Sequence, residues 1–182
     1  MELYEAIEMR RSIRIFSKPA TEEQLRKIIL TGTKAPSGGN RQGWEFVIVD
    51  DPTIVEQLAE IKYQQNRQLS PREGEAQADV EKRALRQKTS FENASIVVIC
   101  NKVGEAPGAW LCMQNMSLAA FAEGLGSVIT GYWDEFQRDV ERTVAVPQGY
   151  ELTAVMKIGV PGEQASPPTK RPEFSWLHRN RF

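Results

Sequence analysis

The sequence predicts an α+β fold. Segments with helical periodicity outnumber the β-branched runs, and the two kinds do not alternate strictly as a doubly wound parallel sheet requires. The 182 residues carry no internal repeat and no linker, so one domain, 1–182, is expected, long enough to bury roughly 70% of its unfolded surface.

Leu3, Ala6 and Ile7 recur at helical spacing and predict an N-terminal helix from Glu2 to about Arg11. Thr21-Glu22-Glu23-Gln24 is a capping box, and Leu25, Ile28 and Ile29 give the helix that follows its apolar stripe, ending near Gly32. Trp44 to Val49 is dense in β-branched and aromatic residues and reads as the first strand. Asp51-Pro52 starts the next helix, with Pro where its missing N–H costs nothing, and Ile54, Leu58 and Ile61 are its core face. Lys62 to Phe91 turns polar: a surface helical excursion or lid and a solvated structural helix both fit, with a helix start at Ser70-Pro71-Arg72-Glu73. Ile96 to Cys100 is a continuous apolar run, as in a central strand buried on both faces. A long helix runs from about Ala109 to Glu123 with Trp110, Met113, Ser117, Ala120 and Phe121 on one face, read as core. Gly124-Leu125-Gly126 stops it before a short strand; Asp134 to Val144 is helical; Thr153 to Val160 is the last strand, before a basic tail ending HRNRF.

Composition narrows the function. With 23 Lys+Arg against 24 Asp+Glu the formal charge is −1, so there is no global field for polyanions, and neither nucleic acid nor a membrane is an expected partner. No apolar run approaches the roughly 20 residues that span a bilayer, and MELYEAIEMRR lacks the apolar core of a signal peptide, so a cytoplasmic location is expected. One His and two Cys leave too few groups for a zinc site of the usual type or a Ser/His/Asp triad. No metal and no catalytic side chain are therefore expected, and the chemistry falls to something the protein binds.

Two segments are candidates for that binding. Arg10, Arg11, Ser12 and Arg14 combine guanidinium forks with a hydroxyl, a set that grips a phosphate monoester, while a basic helix end complementing the dipole reads equally well. Ala35-Pro36-Ser37-Gly38-Gly39-Asn40-Arg41-Gln42 joins small residues, which admit close backbone approach, to amides able to donate and accept toward a heterocycle, while a plain turn between helix and strand also fits. The pair Gly124 and Gly126 does not make a dinucleotide fingerprint, because it follows a helix and precedes a strand.

Taken in order, RRSIRIF (Arg10 to Phe16), APSGGNRQGWEFVIV (Ala35 to Val49), MQNMSLAAFAEGLGS (Met113 to Ser127), ITGYWD after it, VPQGYELTAVMKIGVP (Val146 to Pro161) and the HRNRF ending resemble the nitroreductase family of FMN-dependent flavoproteins. The resemblance implies a three-layer α-β-α sandwich around a mixed or antiparallel sheet, in an intertwined homodimer with FMN sites at the subunit interface. It implies that Arg10, Arg11, Ser12 and Arg14 hold the FMN phosphate, ribityl chain and pyrimidine edge, completed by Arg179 and Arg181. Pro36, Ser37, Gly38 and Asn40 would reach the flavin of the other subunit, and Ile129, Thr130 and Gly131 would line one face of the ring, with a backbone N–H near Gly131 toward flavin N5. Gly43 stands where members usually carry Pro, and Gln87, Lys88 or Ser90 would take a pyrimidine-side role. The substrate pocket would be framed by Lys62 to Phe91, with Trp110 and Tyr132 lining it.

The activity so implied is an oxidoreductase carrying electrons from NAD(P)H through FMN to a nitroaromatic, quinone or similar small acceptor by a ping-pong mechanism. The alternative is a flavin-binding or flavin-remodelling protein without nitroreductase turnover. In either case the cofactor carries the redox chemistry and the protein supplies orientation and electrostatics.

Overall fold

The computed structural model describes residues 2–69, 71–167 and 169–182. In chain order the elements are α1 (Leu3–Met9), β1 (Phe16–Pro19), α2 (Glu22–Gly32), a single 3-10 turn (Gly38–Asn40), β2 (Trp44–Val49), α3 (Pro52–Leu69), α4 (Gln77–Thr89), β3 (Ser95–Lys102), α5 (Ala106–Ala122), β4 (Gly126–Thr130), α6 (Asp134–Thr143) and β5 (Tyr150–Pro161). The strands form one sheet in the order β1-β5-β3-β2, with β4 also paired to β5. Among the described residues all four ladders are antiparallel, and parallel contact is confined to an isolated bridge between Ser12 and Ser127.

The two-residue period of the strands divides the core. Ala154, Met156 and Ile158 of β5, with Val97 and Ile99 of β3, pack against Leu25 and Ile28 of α2 and Cys112, Met113, Met116 and Ala120 of α5. Val155 of β5 and Ile96, Val98 and Cys100 of β3 face the other way, onto Leu58 and Ala59 of α3 and Phe136 and Val140 of α6. Helices therefore cover both faces of the sheet, and each fully buried Leu, Ile or Met contributes about 1.5–3 kcal/mol of transfer free energy. The two cysteines belong to opposite faces, which keeps them apart; burial pushes each thiol up to about 11. The exception on the second face is Lys157, which alternation places beside Val155 and which has no exposed surface.

Local signals were good guides to the elements. The capping box forms as written, Gln24 N donating to Thr21 Oγ1 at 3.2 Å and Thr21 N to Gln24 Oε1 at 3.1 Å. Asp51 caps α3, its Oδ1 accepting from Thr53 N at 2.7 Å. Elsewhere tertiary context decides. The first helix stops at Met9 rather than Arg11, freeing Arg10 and Arg11 from helical geometry. Of the expected helix start at 70–73, Ser70 lies outside the described residues, residues 71–73 are not helical, and α4 begins at Gln77. The polar stretch from Lys62 is no mere surface excursion, because Lys62, Gln65, Asn66, Val80, Ala84, Ser90 and Phe91 are buried. Trp110, expected in the core, is 48% exposed beside Leu111, whereas Met113, Ser117 and Ala120 are buried as expected.

Gly159 shows how tightly β1 closes on β5. A Cβ there would meet the Lys18 carbonyl oxygen at 2.7 Å and the Asn93 carbonyl oxygen at 3.2 Å, both backbone atoms with little room to move. Gly159→Ala is therefore expected to destabilise the protein by roughly 1–3 kcal/mol through overpacking, read as a lowered midpoint in urea. An unchanged midpoint would mean that β1 yields without cost.

Candidate functional site

Where α1 ends, the chain turns into an extended segment whose Ile13 N–H donates to the Ser127 carbonyl at 3.1 Å, pinning residues 10–14 beside the start of β4. A cleft of about 550 Å³ opens there, lined by Arg10, Arg11, Ser12 and Arg14 together with Arg86 of α4 and Lys170 of the tail. Five cations converge on it with one carboxylate, Glu163. Glu163 Oε1 accepts from the Arg14 backbone N–H at 2.6 Å and Oε2 from Arg86 Nη2 at 2.8 Å, so this acid ties the two sides of the cleft together. Arg11 is braced on the helix end, Nη1 donating to the carbonyls of Glu8 at 2.5 Å and Arg10 at 2.9 Å. The size suits a small-molecule ligand and the donor set suits a phosphate, since guanidinium forks match its oxygens bidentately.

The other sequence-derived candidates lie elsewhere in the chain. Pro36, Gly38 and Asn40 are exposed and Ser37 half-buried, on a loop where Gly39, Asn40 and Gln42 all take positive φ. Ser37 Oγ accepts from Gln42 N at 3.0 Å, which holds the turn in shape. Gly43 follows, with the Glu105 carboxylate lying against the place a Cβ would take. Arg179 and Arg181 lie on the exposed tail, where His178 stacks on Phe182 at 4.5 Å between centroids. Lys170, not these arginines, is the tail cation that lines the cleft among the described residues.

At the end of β4, Ile129 and Gly131 are half-buried and Thr130 is 4% exposed, with no hydrogen-bond partner for its Oγ1 among the described residues. The Gly131 carbonyl accepts from Lys62 Nζ at 2.8 Å and Gln65 Nε2 at 3.4 Å. Tyr132, expected to line a pocket, instead turns into the core, its hydroxyl donating to the Leu58 carbonyl at 3.1 Å.

Arg86, Lys170, Glu163 and Lys62 are what sequence reasoning missed. Of the trio 87, 88 and 90, Lys88 is spent on Glu56 and Glu60 at 2.8 Å each, which hold its ammonium well above the usual lysine range, and Ser90 is buried. One residue earlier, Arg86 takes the cleft-facing position. Only its place within a polar helix hinted at exposure, and nothing local tied it to Arg14.

Comparison with known proteins agrees with this architecture. An NADH dehydrogenase of Thermus thermophilus is 29% identical over 90% of this chain and 88% of its own length. An iodotyrosine deiodinase of Thermotoga neapolitana is 28% identical over 88% and 89% respectively. A crystal structure of an iodotyrosine deiodinase bound to FMN and 3-iodo-L-tyrosine shares the fold, with a TM-score of 0.77 at 24% identity and complete coverage of both chains. The family model for nitroreductases matches residues 7–160, and the chain belongs to the nitroreductase family.

Proposed function

We propose that this protein is an FMN-dependent oxidoreductase that passes electrons from NAD(P)H to a small acceptor, a nitroaromatic or a quinone, by alternating use of one site. The observation that carries the reading is the cleft at residues 10–14, whose cations outnumber its acid and whose volume suits a phosphate-bearing ligand. Arg10, Arg11, Ser12 and Arg14, with Arg86 and Lys170, would hold the FMN phosphate and ribityl chain, and Arg179 and Arg181 would close over it from the tail. When bound, FMN supplies the two-electron redox chemistry. The residues of the chain orient it: Ile129, Thr130 and Gly131 would lie along the ring at the end of β4.

A second copy of the chain would complete each site. In support, the 36–40 loop stands exposed, and α1 and the start of α5 present the exposed apolar side chains Leu3, Tyr4, Ile7, Met9, Trp110 and Leu111. The Thermus relative named as an NADH dehydrogenase supports the nicotinamide donor. Among the described residues no helix is long and apolar enough to cross a membrane. The likeness to the Thermotoga deiodinase favours a second reading, a flavin site acting on another aromatic substrate without nitroreductase turnover.

The test is a visible absorption spectrum of the purified protein, then anaerobic addition of NADH and NADPH. A flavin spectrum bleached by either nicotinamide, and restored by a nitroaromatic or quinone, is the expected result. Bound flavin that neither nicotinamide bleaches favours the second reading, which 3-iodotyrosine then probes. A colourless protein that takes up no added FMN overturns both.

A further inference from the structure

The segment 131–133 is gripped from behind by one face of α3. Leu58, Lys62 and Gln65 are spaced four and three residues apart, which puts them on one side of the helix. The Leu58 carbonyl accepts from the Tyr132 hydroxyl, Lys62 Nζ donates to the Gly131 carbonyl, and Gln65 Oε1 accepts from Trp133 N at 3.0 Å while its amide reaches the Gly131 carbonyl. Lys62 is 5% exposed and Gln65 fully buried. The ammonium also sits 5.2 Å from the Tyr132 ring centroid and 4.9 Å from that of Trp133, a pair of cation–π contacts.

A clamp of this kind does not require a charge. A buried ammonium costs several kcal/mol in desolvation unless an anion lies beside it, and Lys62 forms no ion pair among the described residues. A second buried lysine lies on the same side of the sheet: Lys157 Nζ donates to Ser90 Oγ at 2.6 Å, 4.3 Å from the Phe91 ring centroid, and is also without an ion pair among the described residues. Its proton is weakened by burial first, then by the charges of Lys62 and Arg14, which links it electrostatically to the clamp and to the cleft. Burial alone pulls Lys62 to about 8, so its ammonium persists at neutral pH. The end of β4 therefore has a buried ammonium against its Gly131 carbonyl with no anion paired to it among the described residues.

We propose that Lys62 is a positioning residue for the redox site, holding Gly131 against α3 and presenting an uncompensated positive charge behind it that favours the electron-rich, reduced form of a flavin lying along residues 129–131. This rests on the flavin reading above and adds to it a residue outside the cleft. Lys62 acts through the Gly131 peptide, so its effect is on the balance between the oxidised and reduced ligand rather than on ligand capture.

The experiment uses the FMN-loaded protein and measures the dissociation constants of oxidised FMN and of dithionite-reduced FMN under argon, for the wild type, Lys62→Met, Lys62→Arg and Gln65→Ala. Lys62→Met is expected to weaken reduced FMN at least about tenfold more than oxidised FMN, equivalent to a midpoint potential about 30 mV lower for a two-electron couple. Lys62→Arg, which keeps the charge, is expected to recover most of that difference. Gln65→Ala, which loosens the clamp but keeps the charge, is expected to weaken both forms equally. Equal losses for the two forms in Lys62→Met, or no loss, overturn the proposal and leave Lys62 a structural tether. If the Met variant does not fold, Lys62→Gln, neutral but still a donor, is read the same way. A wild-type protein that binds neither form overturns the flavin reading, and the proposal falls with it.

Discussion

Arg14→Ala is expected to lower the affinity for FMN by about ten- to a hundredfold, the loss of one charge-assisted hydrogen bond at roughly 1.5–3 kcal/mol. Arg14 is the candidate that stands between the basic cleft and the buried lysines: it lines the cleft, and its charge acts on Lys157. The fold should tolerate the change. The contact that anchors this position uses its backbone N–H, held by Glu163 at 2.6 Å, and survives loss of the side chain. Arg14→Lys should recover only part of the affinity, because an ammonium replaces a planar fork by a point charge. Fluorescence titration of FMN checks both variants. An unchanged dissociation constant in Arg14→Ala would remove Arg14 from the site.

The second large effect concerns pH and stability. Burial lowers Lys62 from 10.5 to about 8, and a fall of that size costs the folded state on the order of 3 kcal/mol while the group is charged. The folded value lies below the unfolded one. Between pH 8 and 10.5 the unfolded chain thus binds a proton that the native chain has released, and stability from this group rises with pH across that window. Relative to Lys62→Met, the wild type should gain on the order of 2–3 kcal/mol in urea unfolding between about pH 7 and about pH 10. The comparison with the variant matters because the buried thiols work in the opposite sense: Cys100 and Cys112, raised from 9.0 to about 11, withdraw stability as pH rises through that range. Both proteins carry those thiols, so their contribution cancels in the difference. A difference that stays flat with pH would mean that the Lys62 ammonium is solvated.

How much of this was legible in the sequence follows the range of the interactions. The Thr21 capping box and β2 were readable because their determinants lie within a few residues: a hydroxyl and an amide one turn apart, and an unbroken β-branched and aromatic run. The basic cluster at residues 10–14 was likewise readable as a phosphate-type donor set, and the structure gathers all four of its members around one cleft. β1 was not readable. Its sequence, Phe-Ser-Lys-Pro, is polar with a terminal Pro and becomes a strand only because the end of β5 offers Val160 and Gly159 as partners.

Hydrophobic periodicity also misjudges buried polar residues. It counts Lys62, Gln65 and Asn66 as surface, although their helix face is closed against the chain around Gly131. The sequence by itself determined the α+β class and most helix and strand positions, since these depend on local pattern and residue type. Only the tertiary structure decided that Arg86 and Glu163 join Arg14, and that Lys62 meets Gly131 across 69 residues of chain. Such contacts arise when packing the α3 face onto the sheet removes water and leaves a polar group no partner but a distant one.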